Sequence, residues 1–223
     1  MGIKPLIIVN FKTYTEGKGE NAARMAKYCE EVSMDSGVNI IAVPQIPDIY
    51  RVACSVKIPV YSQHIDGFGE GSFTGHITAD CVKSAGASGT LLNHSERRLL
   101  LADIESAIRY AKKSGLKVIV CTNNVAVTVA AATFKPEFVV IEPPELIGSG
   151  IPVSKADPDI VSGSVKAVKK IAPGVEVLCG AGISKGEDVA AALELGTIGV
   201  LLASGVVKAK DPKAALFDLV KCI

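Results

Sequence analysis

Residues 175–205 read VEVLCGAGISKGEDVAAALELGTIGVLLASG, and this stretch decides the fold. An apolar run at 175–179 leads into a glycine-bearing loop, a helical segment and a second apolar run at 198–202. Ser184 and Glu187 have the spacing of a capping box, which predicts the start of a helix between the two runs. A strand, a helix and a strand in this order form a crossover unit, whose strands pair in parallel.

The same alternation extends over the rest of the chain. None of the apolar runs alternates strictly with polar residues, so each predicts a strand that is buried on both faces. The other runs are 6–9, 40–43, 58–61, 90–92, 117–121 and 138–141. Eight such units in 223 residues fit either a (β/α)₈ barrel or an open, doubly wound sheet. The count of eight favours a single barrel domain over residues 1–223 with trimmed helices.

Helix signals separate the predicted strands. Asp157 and Asp211 each precede a proline, which is the pattern of an N-cap followed by proline at the first helical position. We expect Asp103 to cap a further helix that ends near Gly115.

Composition excludes several classes of protein. The 24 lysine and arginine residues nearly balance 23 acidic residues, giving a net charge of +1, so we expect no nucleic-acid partner. No segment reaches the apolar length of a membrane span, and the run at 6–9 is too short for a signal peptide. The six cysteines are dispersed, so we expect small buried thiols in a reducing cytoplasm and no metal site.

Polar residues collect where the predicted strands end, which is the functional face of both candidate architectures. Glu142 directly follows an apolar run, so burial is expected to raise its pKa and make it a general base. His94 precedes Ser95, which we expect to cap a helix whose N-terminus keeps the imidazole neutral. Lys12 would bring a positive charge to the same mouth.

Two glycine-bearing loops and one stiff loop complete this face. The segments 180–184 and 203–205 follow the last two strands, where barrels of this kind often bind phosphate through backbone N–H groups. Residues 142–152 carry prolines at both ends and glycines near the tip, as a lid does. The combination predicts proton abstraction beside a carbonyl in a small phosphorylated substrate.

Three blocks of sequence resemble one family. Asn10-Phe11-Lys12, His94-Ser95-Glu96-Arg97-Arg98, and Glu142-Pro143 leading into Ile147-Gly148-Ser149-Gly150 are similar in order and spacing to the triosephosphate isomerases. The resemblance covers the whole chain, and the trimmed units resemble the short archaeal branch. One departure is Asn93, which stands where the family usually has glycine before its catalytic histidine.

The resemblance implies a TIM barrel that interconverts dihydroxyacetone phosphate and D-glyceraldehyde 3-phosphate, in glycolysis and gluconeogenesis, without a cofactor. It implies that Glu142 moves the proton, that His94 polarises the carbonyl and that Lys12 stabilises the oxyanion. Asn10 would orient the site and Glu96 would pair with Lys12. The implied phosphate contacts are Ile147, Gly148, Gly182, Ser184, Ala203, Ser204 and Gly205.

The resemblance also implies a homotetramer. The glycine-rich loop 67–75 would enter a neighbouring subunit and place Thr74 near that subunit's active site. Two other functions stay open at this point. One is a sugar-phosphate epimerase, for which His64, Asp66 and His76 are the only candidate metal ligands. The other is a non-enzymatic barrel that binds a phosphorylated metabolite.

Overall fold

A computed structural model describes residues 5–147 and 151–223, apart from the side chain of Glu145. The described residues contain eight strands in one parallel sheet. The strands are β1 Leu6–Asn10, β2 Asn39–Val43, β3 Tyr61–Ser62, β4 Gly89–Leu92, β5 Lys117–Thr122, β6 Phe138–Ile141, β7 Glu176–Gly180 and β8 Gly199–Leu202. Since β1 pairs with both β2 and β8, the first and last strands are neighbours. The prediction of a (β/α)₈ barrel is therefore confirmed, and the open sheet is wrong.

The third strand is the weakest part of the barrel. We predicted a strand over 58–61, but β3 covers only Tyr61 and Ser62. A single bridge between Ala42 and Val60 connects it to β2. Pro59 explains the difference, because proline has no N–H to donate to a strand ladder.

Helices fill the crossovers of the described residues. They are α1 Glu20–Ser36, α2 Ile49–Ser55, α3 Ala79–Ser84, α4 Leu101–Lys113, α5 Val125–Thr133, α6 Val153–Ala156, α7 Pro158–Ile171, α8 Gly186–Glu194, α9 Ser204–Val207 and α10 Pro212–Val220. Short 3₁₀ helices cover Thr15–Gly17, Ile46–Asp48 and Pro144–Leu146.

Two of the predicted N-caps are confirmed. Asp157 Oδ1 accepts the N–H of Ile160 at 3.0 Å, and Asp211 Oδ1 accepts that of Ala214 at 3.0 Å. Asp103 is not a cap, because α4 begins two residues earlier and Asp103 lies in its first turn.

The predicted capping box of Ser184 and Glu187 is also wrong. The carboxylate that reaches back is Asp188, whose Oδ2 accepts the N–H groups of Ser184 at 3.1 Å and Lys185 at 3.2 Å. The helix starts at Gly186, so the third helical residue is Asp188. An acceptor at this position satisfies N–H groups that have no partner within the helix.

Every strand except β3 contributes to two apolar cores. In β1, Leu6 and Ile8 point into the barrel, whereas Ile7 and Val9 pack against the surrounding helices. This alternation explains why the strands are apolar throughout, since both faces are covered. Each fully buried Leu, Ile or Val contributes about 1.5–3 kcal/mol to folding.

The cysteines differ from the sequence prediction in one respect. All six are free thiols, and Cys29, Cys121 and Cys179 are buried as expected. The others, Cys54, Cys81 and Cys222, are exposed.

Within the described ranges, no helix combines the length and the hydrophobicity that a membrane crossing requires.

Candidate active site

A cavity of about 200 Å³ opens at the carboxyl ends of the strands. Lys12, His94 and Glu142 line it together, although 130 residues separate the first from the last. The loops after β7 and β8 form the opposite wall. The barrel topology thus brings the predicted base, neutral donor and cation to one mouth.

Glu142 is almost completely buried where it leaves β6. Only 1% of the surface of Glu142 is exposed, and its backbone N–H donates to Thr122 O at 2.9 Å. Burial raises the pKa of Glu142, and the nearby His94 and a hydrogen bond from the Cys121 thiol oppose this only partly. Among the described residues, Oε1 has no hydrogen-bond partner. The carboxylate therefore has raised basicity and one oxygen available to a substrate proton, as predicted from the sequence.

His94 accepts a backbone hydrogen bond that the sequence did not indicate. No helix begins at Ser95: the segment forms a turn, with Arg97 N–H donating to His94 O at 2.8 Å, and α4 begins only at Leu101. Instead, the Glu96 backbone N–H donates to His94 Nδ1 at 3.2 Å. An accepting Nδ1 carries no proton, so the proton lies on Nε2. Nε2 faces Glu142 Oε1 at 3.7 Å.

Lys12 reaches the cavity from a left-handed backbone conformation, with φ of 47°. Its Nζ pairs with Glu96 Oε1 at 2.7 Å, which is the predicted pairing. Asn10 Oδ1 accepts the Lys12 N–H at 3.0 Å, and Gln63 Nε2 donates to Lys12 O at 3.0 Å. The side chains of Asn10 and Gln63 thus hold both polar backbone groups of a strained residue.

Asn10 and Glu96 do not line the main cavity. They lie in an adjoining cavity of about 170 Å³ that shares Lys12 and His94 with it. Their contacts place them behind the two side chains that face the ligand space.

The loop after β7 fits a backbone site for phosphate. Gly182 has φ of +71°, and a Cβ there would lie 1.9 Å from Ile151 O, so only glycine can occupy the position. Ser184 lines the same wall, but its N–H already donates to Asp188. Its hydroxyl is 3.5 Å from the same carboxylate oxygen.

The loop after β8 completes this wall with Ala203, Ser204 and Gly205. Ser204 and Gly205 open α9, where the first N–H groups of a helix have no intrahelical acceptor. Ile147 lines the cavity from the predicted lid. Gly148 and the rest of the lid tip, 148–150, lie outside the described residues.

Other predicted residues lie away from the cavity. In loop 67–75, the rings of Phe68 and Phe73 stack with centroids 4.2 Å apart, and Phe68 meets His76 at 4.7 Å. The Asp66 carboxylate contacts the ring nitrogens of both His64, at 3.1 Å, and His76, at 3.2 Å. Asp66 thus pairs with both of the other candidate ligands. In the part of the chain that the structure describes, no group of three His, Cys, Asp or Glu side chains is arranged to hold a metal ion.

Sequence reasoning missed several residues of the site. Tyr14 lines the cavity, and Gln63, Cys121 and Asn93 make contacts behind it. Gln63 and Asn93 follow strands β3 and β4, so position gave a signal for both. Tyr14 and Cys121 gave none, since a lone tyrosine or an apolar-run cysteine is typical of packing.

Comparison with known proteins gives a consistent result over the whole chain. The family model described as triosephosphate isomerase matches residues 5–223. A triosephosphate isomerase from Methanosarcina barkeri (strain Fusaro / DSM 804) is 64% identical over 223 residues, covering 100% of both chains. The one from Methanococcoides burtonii is 66% identical over 221 residues, covering 99% of this chain and 100% of its own. The one from Methanocaldococcus jannaschii is 56% identical over 218 residues, covering 98% and 100%.

Proposed function

The chain belongs to the triosephosphate isomerase family, and we propose that it interconverts dihydroxyacetone phosphate and D-glyceraldehyde 3-phosphate through an enediolate. A role of the protein in glycolysis and gluconeogenesis follows from that reaction. The observation that carries the proposal is the approach of His94 Nε2 to Glu142 Oε1, 3.7 Å apart. A proton donor and a raised-pKa carboxylate at this distance can act on two neighbouring atoms of one small substrate.

The proton transfer assigns one role to each group. Glu142 removes a proton from the carbon beside the carbonyl and returns it to the neighbouring carbon. His94 donates an Nε2–H hydrogen bond to the carbonyl oxygen, where negative charge develops, gives that proton to the oxygen and takes back the proton of the neighbouring hydroxyl, so that the carbonyl and the hydroxyl exchange positions. Lys12 stabilises the same charge as a cation and, with Glu96 on its far side, stays in a defined position. Asn10 orients Lys12 through its backbone N–H.

The phosphate end of the substrate is assigned to the opposite wall. Backbone N–H groups near Gly182, Ala203, Ser204 and Gly205 would bind it, with the Ser184 hydroxyl at the rim. Ile147 would cover it, together with Gly148. Because the net charge is only +1, long-range attraction is weak and these local donors must supply the affinity.

The assembly and location are proposed on similar grounds. We propose one catalytic domain over residues 1–223, because all eight strands join one sheet. We propose a homotetramer in which loop 67–75 lies at an interface and Thr74 approaches a neighbouring active site. Its exposed Phe73, at 44%, supports this arrangement. Six free thiols support a reducing, cytoplasmic compartment.

The decisive experiment measures isomerisation in both directions with purified protein, with and without a chelator. Turnover that resists chelation is expected, whereas loss on chelation would favour a metal-dependent epimerase. Glu142→Gln should lower kcat by about 10²-fold or more while a phosphorylated inhibitor still binds. Inhibitor binding by the native protein without any turnover would favour the non-enzymatic metabolite-binding barrel and remove the proposal.

A further inference from the structure

Asn93 occupies a demanding position directly before His94. Its φ is 59°, in the left-handed region that few side chains adopt and that asparagine tolerates better than most. The residue is buried, with 6% of its surface exposed. Where the family usually has glycine, this chain therefore keeps the backbone conformation and adds a buried amide.

Both the nitrogen and the oxygen of the added side-chain amide make hydrogen bonds. Asn93 Nδ2 donates to Cys121 O at 2.8 Å, and Asn93 Oδ1 accepts the N–H of Leu99 at 2.9 Å. The backbone carbonyl of Asn93 also accepts Arg98 Nη1 at 2.9 Å. These three bonds tie the two ends of the segment 93–99 to each other and to β5.

The anchor point connects this segment to the base. Cys121 is completely buried in β5, and its thiol is close enough to the Glu142 carboxylate for each group to shift the pKa of the other. The same residue thus receives the Asn93 amide through its carbonyl and contacts Glu142 through its side chain. A shift of the segment 93–99 relative to β5 would change the distance between His94 and Glu142, because no helix fixes the start of that segment.

We propose that Asn93 is a positioning residue that fixes His94 against Glu142 by bonding the His94 segment to β5. The proposal rests on the proposed function, since it concerns the geometry of that reaction. Asn93 is not among the residues that line the main cavity, so it acts through His94. An error of about 1 Å in such a position costs up to about 100-fold in rate.

Three substitutions separate the backbone from the amide. Asn93→Gly preserves the left-handed conformation and removes both hydrogen bonds of the side-chain amide. Asn93→Ala removes the bonds and strains the backbone as well. Asn93→Asp keeps the acceptor for Leu99 and loses the donor to Cys121. Asn124→Gly is the matched control, because Asn124 Oδ1 accepts the Val127 N–H at 2.9 Å but has no bond to the His94 segment.

The expected result is a selective effect on turnover. Asn93→Gly should lower kcat by about 10-fold while KM changes less than twofold, since the loops that we propose to bind the phosphate follow β7 and β8. Asn93→Ala and Asn93→Asp should lower kcat at least as far. The control Asn124→Gly should leave both constants unchanged. An unchanged kcat in Asn93→Gly would overturn the proposal. So would a lower kcat that is accompanied by a comparable rise in KM and a lower melting temperature.

A second readout needs no turnover. The chain has only three histidines, so ¹⁵N resonances of the His94 ring can be assigned by comparison with His94→Gln. In the native protein, Nδ1 should show the shift of an accepting nitrogen. In Asn93→Gly, the ring signal should broaden or move toward a mixture of tautomers, whereas the Asn124→Gly spectrum should match the native one. An inactive native protein would reject the isomerase, and this spectrum would still test Asn93.

Discussion

Glu142 is an unfavourable residue to bury. Its carboxylate lies among apolar strand residues with one oxygen that has no hydrogen-bond partner in the described chain. Burying such a group unpaired costs about 1–3 kcal/mol even when it is neutral, and more when it is charged. The same burial raises the pKa of Glu142, which suits the base that we propose it to be. The side chain therefore favours reactivity at the expense of stability.

Substituting Glu142→Gln should consequently make the protein more stable at neutral pH. The folded-state pKa of Glu142 is raised, so the native state is most stable with this group protonated and loses stability as the pH rises through that pKa. Glutamine removes this loss. We expect a melting temperature about 2–4 °C higher at pH 7.5, equivalent to about 1 kcal/mol.

Thermal unfolding of both proteins from pH 4 to pH 8 tests this expectation. The difference should disappear toward pH 4, where Glu142 is protonated in the native protein as well. The exposed Glu105→Gln provides the control and should unfold like the native protein at every pH. A difference that stays constant with pH would contradict the argument.

At this scale the sequence predicted some properties of the site and missed others. The burial of Glu142 was predictable, because it directly follows Val139, Val140 and Ile141 in the chain. The surroundings of His94 were predicted wrongly, since the group that donates to its ring is the Glu96 N–H of a turn and not a helix end. Turn conformation depends on contacts such as Asn93 with Cys121, which join residues far apart in sequence.

Among the elements, α6, α8 and the loop after β7 are joined by one buried carboxylate. Lys155 of α6 pairs with Asp188 Oδ1 at 2.7 Å, while Asp188 Oδ2 accepts the two N–H groups at the end of the loop. Burial alone would raise the pKa of Asp188, but these partners outweigh it and lower the pKa. Asp188 is therefore the common anchor of the loop after β7 and of α6.

The two partners of this ion pair should contribute unequally. The Lys155 side chain is half exposed and its charge is screened by solvent, so Lys155→Met should change the stability very little. Asp188→Ala leaves two backbone N–H groups without their acceptor and should cost about 2–3 kcal/mol. The loosened loop should also raise KM about fivefold, equivalent to about 1 kcal/mol, with kcat nearly unchanged.

Urea unfolding and steady-state kinetics measure these effects. Asp211→Ala is the matched control, because it removes the N-cap of α10 and should destabilise the protein by about 0.5–2 kcal/mol without changing KM. An equal effect of Asp188→Ala and of the control Asp211→Ala on KM would show that the loop does not depend on Asp188.

The elements themselves were largely predictable. Strong local signals, such as the Asp-Pro pairs at 157–158 and 211–212, correctly located the starts of α7 and α10. The failures occurred where local signals compete. Pro59 shortens β3, and Asp188 replaces Glu187 as the capping carboxylate because α8 starts later than expected.

For the whole molecule, the sequence pattern predicts the barrel, whereas the association of chains depends on which side chains the folded surface exposes. Several large apolar side chains remain exposed, including Phe73 at 44%, Leu100 at 74% and Leu101 at 51%. Leu100 and Leu101 directly follow the His94 segment, and loop 67–75 packs on α4 where Gly67 approaches Ser106. Neighbouring apolar groups of this kind are typical of interfaces between chains.

The proposed tetramer therefore predicts a specific sensitivity to Phe73→Ser. If loop 67–75 lies in an interface, removing this ring should shift the mass measured by light scattering from four chains toward two or one, most clearly at low protein concentration. The matched control is Phe217→Ser, since Phe217 is 37% exposed on α10, far from the loop in sequence. Activity per chain should fall with the mass, because Thr74 would no longer support a neighbouring site. An unchanged mass for Phe73→Ser, or equal dissociation of both variants, would show that this loop does not hold the chains together.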